Sequence, residues 1–274
     1  MTKVSTITPC YNMSKYMKGF LDNLSTQTHK DLEIVLDHND PSEEEVKLVE
    51  EYNEQYDNIL HIKVEGVDPI GTSMNRCIEY ATGDYLCIWN VDDLRTPDSI
   101  EVMAKALDEN PDVDFVYGNY VIVPKFGGTE GQYVDETGRE DELTTGMILG
   151  PYFMFRKSLL EKSGVFDEQL VSGADYDLAL RLAFNGKGMH ISHILGYYLN
   201  EGLGAVYERH QTIATKTREA VKSIGLELFA DEKYASNIIE IAKADGIDAK
   251  IIGEVSKSDK KKLSIQSELG NFEY

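Results

Sequence analysis

Two carboxylates, Asp92 and Asp93, stand side by side just after the apolar run Tyr85-Leu86-Cys87-Ile88-Trp89. The run reads as a buried strand, and ligands of α/β folds gather at the carboxyl ends of strands. Adjacent acids repel, and burying them is costly without a cation or a hydrogen-bond donor. A hard divalent cation carrying a phosphorylated ligand satisfies both constraints. Another acidic group, Asp175 and Asp177 in Gly173-Ala174-Asp175-Tyr176-Asp177, opens an amphipathic helical pattern. Favourable charge at a helix N-terminus accounts for Asp177 well and for Asp175 less well.

Three weaker signals precede these. Thr8-Pro9-Cys10-Tyr11-Asn12 reads as the loop after strand one, either shaped so that its backbone meets a ligand or an ordinary turn capped by Asn12. Asp37-His38-Asn39-Asp40 closes strand two, and a carboxylate or amide there could accept from the N–H of a nucleobase. A polar turn accounts for it equally, and His38 reads as a solvated turn residue rather than a metal ligand. Gly71 to Asn75 opens a helix whose free N–H groups could receive phosphate oxygens, although it is neither a P-loop nor GxGxxG.

The elements that must position these residues alternate. Strand-like runs cover Val4–Thr8, Leu32–Leu36, Ile59–Val64 and Tyr85–Trp89. Between them lie helical patterns carrying Tyr16, Met17, Phe20, Leu21 and Leu24, then Val46, Val49, Tyr52 and Tyr56 behind the capping box Ser42/Glu45, then Ile70, Met74, Ile78 and Ala81 with Gly83 as the stop. This order predicts an α/β fold with a mainly parallel sheet flanked by helices. Pro97-Asp98 opens another helix, and Phe115–Tyr117 gives another strand. Lys125 to Asp141 reads as an unstructured loop near a site. Phe153–Arg156, a short helix from Ser158, a helix over Ala174–Asn185 and two closing strands at Met189–Ile194 and Tyr197-Tyr198 follow. The pattern changes near residue 200, so the expected division is a domain over 1–200 and a small helical and α/β appendage of unassigned role over 201–274. In that tail, Val206–Leu228 and Ala235–Ala244 read as helices, and Ile251–Val255 and Leu263–Ile265 as strands.

Composition narrows the function classes. Forty-eight acids against 27 bases leave a net charge of −21, which argues against a nucleic-acid partner. A nucleotide held through a metal and backbone amides is compatible with it. Cys10, Cys77 and Cys87 form no CxxC pair and read as reduced core thiols of a cytoplasmic protein. The start reads directly into a strand with no signal peptide, no apolar stretch reaches the length of a membrane span, and nothing indicates peripheral membrane contact.

The order of these segments resembles the family 2 glycosyltransferases, enzymes of the GT-A fold. The resemblance is carried by Val4 to Asn12, Gln27-Thr28, Glu33 to Asp37, Asn75 to Ile78, Ala81-Thr82-Gly83-Asp84-Tyr85, Asn90 to Asp93, Phe155-Arg156, Gly164 to Asp167 and Asp175 to Leu182, over roughly residues 3 to 199. It implies an inverting transfer of a sugar from a nucleotide-sugar, UDP-linked by family habit, to the hydroxyl of a glycan or other acceptor. By this resemblance Asp93 binds Mn²⁺ or Mg²⁺ at the donor diphosphate, Asp92 meets the ribose or the metal, and Asp175 is the catalytic base. Thr8, Pro9, Tyr11, Asp37, Asn39 and Asn75 fall on the donor pocket, with Asp37, His38 or Asn39 at the base-reading position. The chain departs from the family pattern where Asn90 and Ala174 replace the usual acids and Met74 the usual arginine, with Arg76 close by.

Two rivals stand beside this reading. One is a degenerate GT-A module that binds a nucleotide or glycan without chemistry, supported by Asn90 and Ala174. The other is a nucleotidyltransferase, which would show a basic phosphate loop where Thr8 to Asn12 has none. The tail faintly resembles fragments of a class V aminotransferase and of aminoimidazole ribonucleotide synthase, without their catalytic segments.

Overall fold

The computed structural model describes residues 2–139, 146–170 and 173–200, together with the backbone of 264–267 and 270–273. The chain forms two compact units, Met1–Leu203 and Gly204–Tyr274. In the first, β1 (Val4–Tyr11), β2 (Leu32–Asn39), β3 (Ile59–Val64) and β4 (Tyr85–Ile88) alternate with α1 (Ser14–Ser25), α2 (Glu43–Tyr56) and α3 (Ile70–Tyr80). Next come β5 (Leu94–Arg95), α4 (Ser99–Glu109), β6 (Phe115–Val123), β7 (Gln132–Val134), β8 (Phe153–Arg156), α5 (Leu160–Ser163), α6 (Ala174–Asn185) and β9 (Gly188–Leu199). The sheet order is β3-β2-β1-β4-β8-β6-β9-β5, with β7 paired to β6.

The first four strands are parallel, as alternation predicts. The second half is mixed: β8 runs antiparallel to both β4 and β6, while β6 and β9 are parallel. Successive side chains of a strand face opposite layers, and β4 shows it. Tyr85 and Cys87 face the core of α1, α2 and α4, while Leu86 and Ile88 face that of α3 and α6. Helices on both faces explain why β4 is apolar without alternation. The Ser42–Glu45 capping box forms as expected and starts α2.

Several boundaries differ from expectation. β1 continues through Tyr11 and β2 through Asn39, because the two pair in register from Val4↔Leu32 to Tyr11↔Asn39. The Thr8–Asn12 segment is therefore mostly strand, and Asn12 turns the chain with φ 55° while Met13 occupies the N-cap of α1. Gly83 does not end α3, which stops at Tyr80. Its lack of a side chain instead admits β1: a Cβ there would lie 2.7 Å from the Ser5 nitrogen and 2.9 Å from the Lys3 oxygen. The expected loop at 125–141 contains β7, a hairpin partner of β6. The two closing strands are one strand, β9, with irregular register opposite Asn119. Near the C-terminus, β10 (Ser264–Ser267) and β11 (Gly270–Glu273) form an antiparallel pair, and β10 overlaps the strand expected at Leu263–Ile265 at Ser264 and Ile265, Leu263 lying outside the described residues. The expected helices at 206–228 and 235–244 and the strand at 251–255 lie outside the described residues. No helix among the described residues is long and apolar enough to cross a membrane.

Candidate functional site

The chain leaves β4 at Ile88 and turns through Asn90 to Asp93 before entering β5. The turn is pinned by the Asp93 N–H donating to the Asn90 carbonyl (3.1 Å) and the Trp89 indole N–H donating to the Asp93 carbonyl (2.9 Å). Asp93 is 3% exposed. Its Oδ1 accepts from the Leu199 backbone N–H and its Oδ2 from the Asn90 amide, both at 3.2 Å. Burial pushes its carboxyl up to about 7, and the Asp92 charge adds to this. The Leu199 N–H, the Asn90 amide and the Arg95 guanidinium oppose them. Asp92 is only partly buried.

Behind this turn lies Arg95, 1% exposed. Its guanidinium donates to the Ile88 carbonyl (2.8 Å) and the Ser99 hydroxyl (3.0 Å). It also lies between the Trp89 and Tyr152 rings, 5.1 and 5.0 Å from their centroids. Sequence reasoning missed this buried cation. Its signal was a lone arginine two residues after paired acids.

In front of the turn a cleft of about 250 Å³ opens. Asn90 and Asp175 are its polar lining, Tyr120 and Tyr198 its aromatic walls, and Ile88, Phe153 and Pro151 part of its apolar floor. Asp175 is exposed on the first turn of α6, which starts after Gly173 in a left-handed conformation (φ 78°). Burial pushes the pKa of the Tyr198 phenol up, and the charges of Asp93, Asp92 and Asp175 push it further. All three acids thus act on one side chain of the cleft. Asp177 is held elsewhere, by Arg181 at 2.6 Å. Ala174, where the family pattern has an acid, is 3% exposed and packs in the core of α3 and α6.

The remaining sequence candidates form a second group along β1, β2 and α3. Thr8 is fully buried, its hydroxyl 2.8 Å from that of Thr6, whereas the Tyr11 ring is half exposed and Pro9 intermediate. Asp37 is fully buried and accepts from the Ser73 hydroxyl, the Asn39 amide (2.7 Å) and Arg76 (2.7 Å). Arg76 also pairs with Asp68, and Asn39 accepts from the Asp68 N–H at 2.8 Å. This network fastens the loop before α3 to the end of β2. Arg76 thereby supplies a cation that Met74, buried in the core, cannot. His38 is fully buried rather than solvated, because β2 continues past it. Its Nδ1 lies 3.1 Å from His61 Nε2.

The start of α3 is covered. Asn75 donates to the Phe166 carbonyl and to Glu168 Oε1, and Thr72 donates to Glu168 Oε2 (3.0 Å). A Cβ on Gly71 would lie 3.0 Å from the Asp167 carbonyl. The chain's own Glu168 carboxylate thus engages the polar side chains of this helix start, Thr72 and Asn75.

Among the described residues no three His, Cys, Asp or Glu side chains converge into a metal cage. Asp92 is partly exposed, and each oxygen of the buried Asp93 accepts one hydrogen bond and keeps a lone pair, so the two could share a hard cation whose other ligands come from phosphate oxygens and water, the usual manner of Mg²⁺.

Comparison with known proteins agrees with this architecture. An uncharacterized glycosyltransferase of Methanocaldococcus jannaschii is 25% identical over 189 residues, covering 66% of this chain and 65% of that one. The chondroitin synthase of Pasteurella multocida is 27% identical over 195 residues, 70% of this chain but 20% of the synthase. The chain therefore spans less than two thirds of either relative. Among solved structures, S. aureus TarS 1-349 in complex with UDP-GlcNAc superposes with a TM-score of 0.60 at 22% identity, over 72% of this chain and 58% of that one. The mannosyltransferase PcManGT from Pyrobaculum calidifontis, in complex with GDP-Man and Mn²⁺, gives 0.63 at 20% identity, over 89% and 69%. These neighbours establish the GT-A fold. None of these relatives and neighbours is an aminotransferase or an aminoimidazole ribonucleotide synthase, so that likeness of the tail is not borne out. Residues 5–164 match the model of glycosyl transferase family 2, and the chain belongs to that family.

Proposed function

We propose that this glycosyltransferase moves a sugar from a nucleotide-sugar to an acceptor hydroxyl with inversion, using Asp175 as base. The observation that carries the reading is a cleft that Asn90 and Asp175 both line, with Tyr198 in its wall feeling Asp92, Asp93 and Asp175. The acceptor oxygen attacks the anomeric carbon opposite the diphosphate. The new C–O bond forms as the bond to the diphosphate oxygen breaks, and the acceptor proton passes to Asp175. Asp175 is suited to this because it is exposed, on the cleft, and free of the ion pair that engages Asp177.

Asp93, with Asp92 beside it at the metal or the ribose, would hold Mn²⁺ or Mg²⁺. When bound, that ion neutralises the charge developing on the leaving diphosphate. Tyr11 and Pro9 would face the nucleoside, with Thr8, Asp37, Asn39 and Asn75 setting that wall from behind. The bound UDP-GlcNAc of TarS and GDP-Man with Mn²⁺ of PcManGT support a nucleotide-sugar donor and a divalent ion, and UDP is our first choice. Polysaccharide synthesis is consistent with the chondroitin synthase relative, and a cytoplasmic setting with three free, buried cysteines.

The test is a panel of UDP-, GDP- and dTDP-sugars with Mn²⁺ or Mg²⁺, read by turnover and by thermal shift. Asp93→Ala should abolish the metal-dependent shift. Asp175→Asn should abolish transfer and keep donor binding; transfer retained in that variant rules Asp175 out as base. The Asn90 amide bonded to Asp93 and the buried Ala174 favour a second reading, a module that binds the donor without chemistry. Donor binding with neither hydrolysis nor transfer to any acceptor would select it.

A further inference from the structure

The aromatic wall of the cleft is built in depth. Tyr152 is 1% exposed, fixed by its hydroxyl donating to the Leu94 carbonyl (3.2 Å) and by Arg95 on its face. Tyr120 packs on Tyr152 with ring centroids 6.0 Å apart, and Tyr198 packs edge-on against Tyr120 at 6.4 Å. Gly150, with φ +62°, leaves the ring of Tyr120 uncrowded: a Cβ there would sit 2.7 Å from its Cε1. Two tyrosines on the cleft are thus held in fixed orientation by a buried layer behind them. Aromatic faces backed this way present a large apolar surface at low entropic cost, with hydroxyls at the rim.

The charges point the same way. No lysine or arginine lines the cleft among the described residues; its one charged lining group is Asp175, with Asp92 and Asp93 close enough to act on Tyr198. With a cation and the donor diphosphate held at Asp92 and Asp93, no cationic side chain among the described lining residues is left to receive a second phosphate. A cavity of about 250 Å³ walled by tyrosine rings, with an amide and a carboxylate as its polar groups, suits a neutral, polyhydroxylated ring.

We infer that the acceptor is a neutral saccharide whose terminal pyranose ring lies on Tyr120 and Tyr198, its hydroxyl toward Asp175. This rests on the transferase reading above and adds the acceptor's chemical class. It excludes an acceptor whose phosphate must enter the cleft.

Two measurements test it. The first needs no turnover: saturation-transfer NMR of the full-length protein with free neutral oligosaccharides, namely N-acetylglucosamine oligomers and maltotriose. The C–H protons of one sugar face should receive saturation in the wild type and in Tyr120→Phe, and lose it in Tyr120→Ala. Signal equal in all three proteins overturns the inference. So does signal that UDP leaves intact but the intact nucleotide-sugar removes, since the ring on the tyrosines would then be the donor's. The second is transfer kinetics with the same oligosaccharides against a polyprenyl phosphate. Tyr120→Ala should raise the KM for the saccharide roughly 5- to 30-fold, the scale of one aromatic stacking contact, with Tyr120→Phe near the wild type. Preference for the polyprenyl phosphate, or an unchanged saccharide KM in Tyr120→Ala, overturns the inference. Donor turnover without saccharide binding defeats this inference alone, whereas absence of all donor binding and turnover defeats the transferase reading.

Discussion

Replacing Arg76 with methionine tests whether the Asp37 network is a charge-dependent scaffold. Asp37 is fully buried, and its carboxyl accepts from Arg76 at 2.7 Å, the Ser73 hydroxyl and the Asn39 amide. Arg76→Met keeps most of the side-chain volume but leaves the carboxylate with two neutral donors. Stranding one partner of a buried ion pair costs about 3–5 kcal/mol. The Arg76 side chain is 24% exposed and also serves Asp68 at the surface, so the expected loss is about 2–4 kcal/mol. The double variant Asp37→Asn/Arg76→Met removes the stranded charge and should recover part of this, with a coupling of about 1.5–3 kcal/mol. The chain supplies its own reporter, because its single tryptophan, Trp89, is 1% exposed in the core of the same unit. Urea unfolding followed by Trp89 fluorescence reads all three variants. A loss below about 0.5 kcal/mol in Arg76→Met, or additivity in the double variant, would refute the claim that the pair carries the network.

Three further outcomes are expected. Arg95→Met should lower Tm by on the order of 10 °C, because two charge-assisted hydrogen bonds and two ring contacts are lost and the buried Asp93 loses its nearest compensating charge; Arg95→Lys should be milder, and equal Tm values for the two would contradict the role given to the guanidinium fork. His61 is held down to about 4 by burial and by the nearby charges of His38 and Lys63, against about 6.5 when unfolded. The unfolded chain binds that proton first, so this stability is complete above about pH 6.5 and is lost as pH falls toward 4, amounting to about 1–2 kcal/mol after allowance for partial exposure; His61→Gln should flatten the stability profile across that window. Asn90→Asp replaces a donor to Asp93 with a third acid, so the metal-free protein should melt lower than the wild type while Mn²⁺ should raise Tm by more, and an unchanged Mn²⁺ shift would show that position 90 does not reach the ion.

The layers of the fold were legible because each element carries its own pattern. Met17, Phe20, Leu21 and Leu24 mark the buried face of α1, and Ser42 with Glu45 marks the start of α2. What sequence left hidden was strand length. Pro9 and the polar run from Asp37 look like turns, yet pairing with a neighbour on each side extends β2 through His38 and Asn39. Tertiary pairing overrides local propensity at those positions. The mixed half of the sheet was equally hidden, since the antiparallel placement of β8 between β4 and β6 depends on partners more than twenty residues away.

The site shows the same limit in sharper form, and Asn90 resolves one part of it. Read along the chain, Asn90 is a defect in an acidic motif. In space its amide donates to Asp93 Oδ2 while the Leu199 N–H meets Oδ1, so both oxygens of a buried carboxylate are satisfied by the protein itself. An aspartate at 90 would strip one donor and add a negative charge beside two others. The substitution therefore trades charge at the turn for a fold that tolerates its acids without an ion. Leu199 lies 106 residues from Asp93, and no spacing rule connects them. The pair of carboxylates could be found by reading, but what makes their burial affordable could only be found by folding.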